Sequence, residues 1–136
     1  LTNQQIARRL TVTPRTSVST ALRLARDNGI SRLPVVEHGR LIGVVREERL
    51  LAFTPSEATT LSRHELHDAL SRLTVERAVE PAIRLSADTP LTAAARHLLE
   101  RGAHEALVVE GERLVGILTH SDLLRALVAG TPEAVA

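Results

Sequence analysis

Apolar and polar positions of this chain follow two alternating spacings, one typical of helices and the other of short strands. Helical spacing joins four small apolar residues early in the chain: Val18, Ala21, Leu22 and Ala25. Thr16 is the predicted N-cap of this helix and Gly29 its C-terminal stop. His38-Gly39 predicts a tight turn between two apolar strands. The elements predicted around the helix are an extended lead-in at 10–13, strands at 33–36 and 41–45, and a second helix at 47–53.

The same pattern returns 73 positions later, because residues 12–51 align without a gap with residues 85–124. Twelve of these 40 pairs are identical, and most of the others exchange similar residues. The identical pairs include turn, helix-end and strand positions: Thr16/Thr89, Gly29/Gly102, Gly43/Gly116 and Leu50/Leu123. An internal repeat indicates one supersecondary unit used twice. We therefore expect function to lie in a cleft between two related halves.

The second copy is the clearer of the two. Thr89 is a predicted N-cap, Pro90 the first helical position and Gly102 the helix stop. Its remaining predicted elements are strands at 106–109 and 114–118 and a closing helix at 121–129.

A linker separates the two copies. Thr54-Pro55-Ser56 breaks the chain, and the apolar spacing at 62–73 predicts an extra amphipathic helix. We divide the chain into repeat 1 at 1–53, linker at 54–73 and repeat 2 at 74–136. The predicted fold class is α/β of the α+β kind, with each repeat ordered β-α-β-β-α. Such small sheets cannot bury both faces alone, so the two repeats are expected to pack as a pair.

Composition narrows the classes of protein that this chain can represent. Hydrophobic residues make up 43% of the 136 residues, yet the only aromatic residue is one Phe. Few aromatic rings and a net charge of +1 argue against nucleic acid as a partner. All 17 basic residues are Arg and Cys is absent, which removes Schiff-base, P-loop and thiol chemistry. No apolar run reaches the roughly 20 residues of a membrane span, so we expect a cytoplasmic protein without membrane contact.

Residues capable of metal binding or catalysis give weaker signals. His64, His67 and Asp68 have the spacing of metal ligands on one helix face. Nothing else in the sequence converges on them, so a solvated helix face is the preferred interpretation and no metal site is predicted. No nucleophile elbow surrounds any Ser, so the sequence does not support a hydrolase.

Three stretches of this sequence carry a family resemblance. A cystathionine-β-synthase-type (CBS) domain is resembled in the first repeat by residues 29–36 and 39–45. The closing motif of the same domain is resembled in the second repeat by Gly-Ile-Leu-Thr-His-Ser-Asp-Leu at 116–123. The linker at 54–66 is similar to that of CBS pairs of the acetoin-utilisation protein B type. The resemblance covers essentially the whole chain. It implies a regulatory module rather than an enzyme, a homodimer built as a four-CBS disc, and adenosine-containing ligands in the clefts between repeats.

Thr119 and Asp122 are the strongest candidates for ligand binding. They lie three residues apart at a predicted strand-to-helix turn, where the carboxylate can accept ribose hydroxyls and the helix start can meet an anion. The alternative interpretation is a threonine cap with a first-turn aspartate that the helix dipole favours. The resemblance adds His104 to the site and makes the lead-in at 6–10, including Leu10, its expected second wall.

The first repeat departs from this motif, because Arg46 replaces the threonine and Arg49 the aspartate. Arginine has only donors and cannot accept a bond from a ribose hydroxyl. Arg32, Arg46 and Arg49 are therefore candidates for an anion pocket, since guanidinium groups match phosphate and carboxylate. The preferred alternative is that they are solvated or paired with Glu47 and Glu48.

A second departure concerns ligand charge. In CBS domains an arginine often approaches the ligand's phosphates at the position that Glu105 occupies here. A carboxylate there repels phosphate, so AMP or S-adenosylmethionine is expected to bind more tightly than ATP.

These observations define one expectation and two rivals. We expect a regulatory CBS pair that binds an adenosyl compound, with AMP, ADP, ATP and S-adenosylmethionine as candidate ligands, no required cofactor and a regulated protein partner that is unknown. The first rival is a dimerisation or interaction module without a ligand, which the altered first-repeat motif favours. The second rival is a small transferase or hydrolase that acts on a nucleotide, which only an activity assay of the chain would support.

Overall fold

The computed structural model describes residues 10–53 and 62–129, apart from the side chains of residues 66, 67 and 70. The described chain forms two compact units: an N-terminal unit of Leu10–His38 and Ile42–Pro81, and a C-terminal unit of Gly39–Leu41 and the chain from Ala82 onward. Its regular elements are α1 (Val18–Asp27), β1 (Arg32–Glu37), β2 (Arg40–Arg46), α2 (Glu47–Leu51), α3 (Arg63–Arg72), a 3-10 turn (Val75–Ala78), β3 (Arg84–Ser86), α4 (Leu91–Arg101), β4 (Glu105–Glu110), β5 (Arg113–Thr119) and α5 (His120–Ala129). The mixed α+β fold confirms the predicted class.

Helix α1 buries the four small apolar residues whose spacing predicted it. Its N-cap is Ser17, whose hydroxyl accepts a hydrogen bond from the Thr20 N–H at 3.1 Å. The prediction of Thr16 was therefore wrong by one residue. The Thr16 hydroxyl instead accepts a hydrogen bond from the Thr13 N–H at 3.0 Å, in the turn before the helix. Gly29 has a φ of 63° and ends the helix in the left-handed region, as predicted.

Strands β1 and β2 form a two-stranded sheet. The turn between them has positive φ at both central residues, 52° at His38 and 76° at Gly39. This is the backbone of a type I′ turn, which matches the twist of the paired strands. The predicted tight turn is confirmed.

The segment after α3 completes the N-terminal unit. The Val18 N–H donates to the Leu73 carbonyl at 2.7 Å, and the Val75 N–H donates to the Thr16 carbonyl at 2.9 Å. Val44 and Glu80 exchange two backbone hydrogen bonds, at 2.9 and 2.8 Å. The first residues assigned by sequence to repeat 2 thus contact the helix and strand of repeat 1.

The C-terminal unit contains a three-stranded sheet in the order β3-β4-β5, with β3 parallel and β5 antiparallel to β4. Helix α4 has Pro90 as its N-cap without a side-chain bond, so the predicted Thr89 cap was also wrong by one residue. Gly102 ends the helix with a φ of 59°, as predicted. The core is built from aliphatic side chains of the sheet and α4: Leu85, Ala94, Leu98, Ala106, Val108 and Leu118.

Strand β5 runs directly into α5, because β5 ends at Thr119 and α5 begins at His120. The last residue of the strand and the first turn of the helix are therefore held together without a loop. This junction positions the candidate site.

Candidate functional site

Thr119 and Asp122 contact each other through three hydrogen bonds. Oδ2 of Asp122 accepts from the Thr119 N–H at 2.9 Å and from the Thr119 hydroxyl at 3.0 Å. The Asp122 N–H is 3.3 Å from the Thr119 hydroxyl oxygen. The pair closes the N-terminus of α5, in the manner of a reciprocal cap. The helix-cap interpretation therefore describes real contacts, and any ligand would meet an aspartate that is already oriented.

The other oxygen of the same carboxylate faces Arg125. Nη2 of Arg125 donates to Oδ1 of Asp122 at 2.6 Å. The Asp122 side chain is 15% exposed, while that of Arg125 is 72% exposed. The partly buried carboxylate is thus covered on this side by a solvent-exposed arginine.

Glu105 lies directly across the sheet from Thr119, as its partner in the β4–β5 register. The Cβ atoms of such cross-strand pairs are about 4.5–5.5 Å apart on the same face. Oε1 of Glu105 is buried, so the carboxylate is not turned out to solvent. From the sequence, only the alignment of the two repeats indicated that this carboxylate lies near Thr119. The strand register agrees with that placement.

Two histidines lie opposite each other just beyond this cross-strand pair. His104 precedes Glu105 and His120 follows Thr119, and the His120 N–H donates to the His104 carbonyl at 3.1 Å. Their Nδ1 atoms are 3.4 Å apart, and their ring centroids are 5.0 Å apart. His104 was predicted from the sequence, whereas His120 was not singled out.

Leu10 is a buried residue of the N-terminal unit, 7% exposed. The rest of the predicted wall, residues 6–9, lies outside the described residues.

The arginines of the first repeat are paired with carboxylates. Nε and Nη2 of Arg46 donate to the two oxygens of Glu80 at 3.1 and 3.0 Å, and Nη1 of Arg46 donates to Glu48. Nε of Arg49 is 3.4 Å from the same Glu80 carboxylate. The hydrogen bonds and charge of Glu80, with the charge of Glu48, hold the pKa of Arg46 above its ordinary value, although desolvation opposes them. Arg32 lies apart in sequence from this cluster, at the start of β1.

Glu80 is the residue that the sequence interpretation missed. Its backbone lies against Gly43, where an added Cβ would be 2.3 Å from the Glu80 carbonyl oxygen. A glycine within a strand often marks such a close backbone approach, so Gly43 was the available signal. That signal does not identify the approaching residue, which is 37 positions away.

Among the described side chains, which do not include that of His67, no group of three or more His, Asp or Glu converges as a metal site. Among the described helices, none has the length and apolar character needed to cross a membrane.

Comparison with known proteins decides the family. Residues 5–55 and 75–129 each match the CBS domain. The chain belongs to the CBS domain family. The two matched segments correspond to the two copies of the internal repeat.

Two similar solved structures illustrate the relationship. CBSX2, solved in complex with AMP, has 32% sequence identity and a TM-score of 0.70, with 88% of this chain and 87% of that chain covered. A putative acetoin utilization protein (AcuB) from Vibrio cholerae has 20% identity and a TM-score of 0.71, covering 88% of this CBS chain and 82% of that one. The predicted resemblance to proteins of this type is confirmed.

A curated relative is much longer. An A-adding tRNA nucleotidyltransferase from Geobacter sulfurreducens is 27% identical over 119 residues, which is 85% of this chain. The chain spans only 12% of the length of that relative.

Proposed function

We propose that this CBS pair is a regulatory module that binds an adenosyl compound through Asp122 and Thr119, with AMP or S-adenosylmethionine favoured over ATP. The observation that carries the proposal is the oriented, partly buried Asp122 carboxylate at the junction of β5 and α5. The AMP complex of CBSX2, the similar protein with 32% identity, supports the adenosyl class.

In the proposed complex, the ribose hydroxyls donate to the Asp122 carboxylate. The Thr119 bonds keep the carboxylate in place, so little side-chain freedom remains to be lost on binding. The ligand competes with Arg125 for Oδ1. Arg125 donates one hydrogen bond to this carboxylate from a side chain that is 72% exposed, whereas a ribose offers two hydroxyl donors on a rigid ring. The ribose is therefore expected to displace Arg125.

Local charge favours ligands with few phosphates. Asp122 and Glu105 carry two negative charges at the site, and Arg125 carries one positive charge. Each further phosphate adds negative charge beside Glu105. The adenine and ribose are common to all four candidate ligands, so the charge of the remaining group decides which ligand binds more tightly. Cationic S-adenosylmethionine and AMP are therefore expected to bind more tightly than ATP.

The proposed output is a change in helix α5. Asp122 closes the start of this helix and binds Arg125 one turn later, so a ligand that displaces Arg125 from Oδ1 alters the contacts of the first turn. A ligand shifts such an equilibrium only when it binds one arrangement better than the other. We propose binding and regulation, and no reaction catalysed by this chain.

A homodimer is the second part of the proposal. Helices α4 and α5 leave four large apolar residues exposed: Leu99 at 78%, Leu124 at 63%, Leu127 at 78% and Val128 at 89%. Leu98, Leu99, Leu123 and Leu124 line an apolar groove of about 250 Å³ within the same unit. Exposed apolar surface of this kind marks interaction sites, and a second copy would cover it with the same surface. The same face also supports the rival function, a dimerisation module without a ligand.

A thermal-shift series separates the two functions. AMP, ADP, ATP and S-adenosylmethionine are each added to the native chain and to Asp122→Ala. Ligand at 100 times its dissociation constant adds about 2.7 kcal/mol to the unfolding free energy. Stabilisation of the native chain alone supports the ligand-binding module, whereas no response to any compound supports the dimerisation module.

A further inference from the structure

We infer that His104 and His120 form a chelating site for a divalent first-row transition metal such as Zn²⁺. The two Nδ1 atoms are 3.4 Å apart. Imidazole nitrogens bind zinc at about 2.0–2.1 Å, so two of them on one tetrahedral ion lie about 3.3–3.4 Å apart. The separation of the two donors already matches the distance that one shared ion requires.

The placement of the rings supports the same geometry. Their centroids are 5.0 Å apart and their planes are inclined by 73°. Two imidazoles that point their nitrogens at one tetrahedral ion have centroids about 5.2 Å apart. By contrast, 3.4 Å exceeds the usual 2.9–3.0 Å of a hydrogen bond from an N–H group. The pair therefore fits a shared ion better than a shared proton.

The backbone holds the two donors in register. His104 and His120 lie opposite each other, one residue beyond the paired residues Glu105 and Thr119, at the end of an antiparallel ladder. The hydrogen bond from the His120 N–H to the His104 carbonyl fixes the distance between their main chains. Sites on paired strands and helix ends hold ligands more firmly than sites on loops.

The surroundings suit a cation with open coordination positions. Both imidazoles are exposed in the single chain, so an ion can reach them from solvent while the apolar groove that His120 also lines is uncovered. Glu105 follows His104 directly in the chain, and Asp122 lies two residues after His120. Because the described side chains offer no third converging ligand here, water completes the coordination shell.

The test is zinc titration of the full chain by isothermal calorimetry, without any nucleotide. Native protein and His97→Ala, which removes an exposed histidine of α4, should bind Zn²⁺ equally at this site. His104→Ala and His120→Ala should each weaken binding at least about tenfold, because loss of even an outer-shell partner weakens metal binding 10–100-fold.

Nitrogen NMR of the histidine rings provides a readout independent of affinity. Zn²⁺ should shift the Nδ1 resonances of His104 and His120 together, and a glutamine at either position replaces alanine if the alanine variant does not fold. Unchanged zinc affinity in both single variants, or no zinc-dependent shift of either ring, would overturn the inference. Since no adenosyl compound is present, failure of the metal site leaves the proposed nucleotide function untouched, and the reverse also holds.

Discussion

Glu105 faces Thr119 across the β4–β5 ladder, with one of its carboxylate oxygens buried. A carboxyl group is thus built into the sheet beside the residue that closes α5. The proposed preference for ligands with few phosphates rests on this register.

The first prediction follows from that charge. A carboxylate about 5 Å from a phosphate repels it by about 3 kcal/mol per charge at an effective dielectric constant of 20. Glu105→Arg should therefore shift the preference from AMP toward ATP, and Glu105→Gln should give an intermediate result. Competitive binding of AMP and ATP measures the change. A native protein that prefers ATP at least tenfold would contradict the proposed order of ligands.

The second prediction concerns two glycines that occupy equivalent positions in the repeats. A Cβ at Gly43 would lie 2.3 Å from the Glu80 carbonyl oxygen, whereas a Cβ at Gly116 would meet only Val108 Cβ at an ordinary 3.7 Å. Gly43→Ala should therefore destabilise the chain by about 1–3 kcal/mol through overpacking.

Gly116→Ala is the matched control for this substitution and should change stability much less. Urea unfolding of both variants measures the difference. An equal loss of unfolding free energy in the two variants would contradict the close approach of the Glu80 backbone to Gly43.

Repeat periodicity predicted most of the fold, because each helix and strand buries an apolar set with its own spacing. The helix caps were displaced by one residue for a shared local reason. Thr16 and Thr89 each close a turn before the helix, with backbone hydrogen bonds to Thr13 and Ser86 at 3.0 and 3.1 Å. A threonine at such a position resembles an N-cap in sequence, although its hydroxyl serves the preceding turn.

Pairing between residues far apart in the sequence could not be predicted from the spacing of residues. The sequence placed Arg46 near Glu47 and Glu48, its neighbours along the chain, and contact with Glu48 is observed. The bidentate partner is Glu80, which a separate segment brings to β2. Spacing rules describe contacts within an element, so a carboxylate 34 residues away leaves no periodic signal.

The third prediction concerns the arginines of the first repeat. The Glu80 carboxylate is paired with both Arg46 and Arg49, so these arginines of the native chain should bind phosphate or sulfate only weakly. Glu80→Gln removes the negative charge and should create an anion site that Arg46→Ala then abolishes. Phosphate titration monitored by NMR compares the three proteins. Strong phosphate binding by the native chain at these arginines would contradict the prediction.

The fourth prediction tests the dimer. Leu124→Glu places a charge within the exposed apolar face of α4 and α5 and should yield a monomer. Leu73→Glu, at another apolar residue that is 41% exposed, should leave the dimer intact. Light scattering at tens of micromolar protein distinguishes the two states. A native chain that is already monomeric at that concentration would rule out the proposed assembly.

The most direct test of the central claim is calorimetric titration of the native chain and Asp122→Ala with AMP. The account predicts one binding event per native chain and a ten- to hundredfold weaker event in the variant, since about 1.5–3 kcal/mol of charge-assisted bonding is lost. Arg49→Ala, the equivalent position of the first repeat, should bind AMP like the native chain. Unchanged AMP affinity in Asp122→Ala, or a loss confined to Arg49→Ala, would contradict the assignment of the site to Thr119 and Asp122.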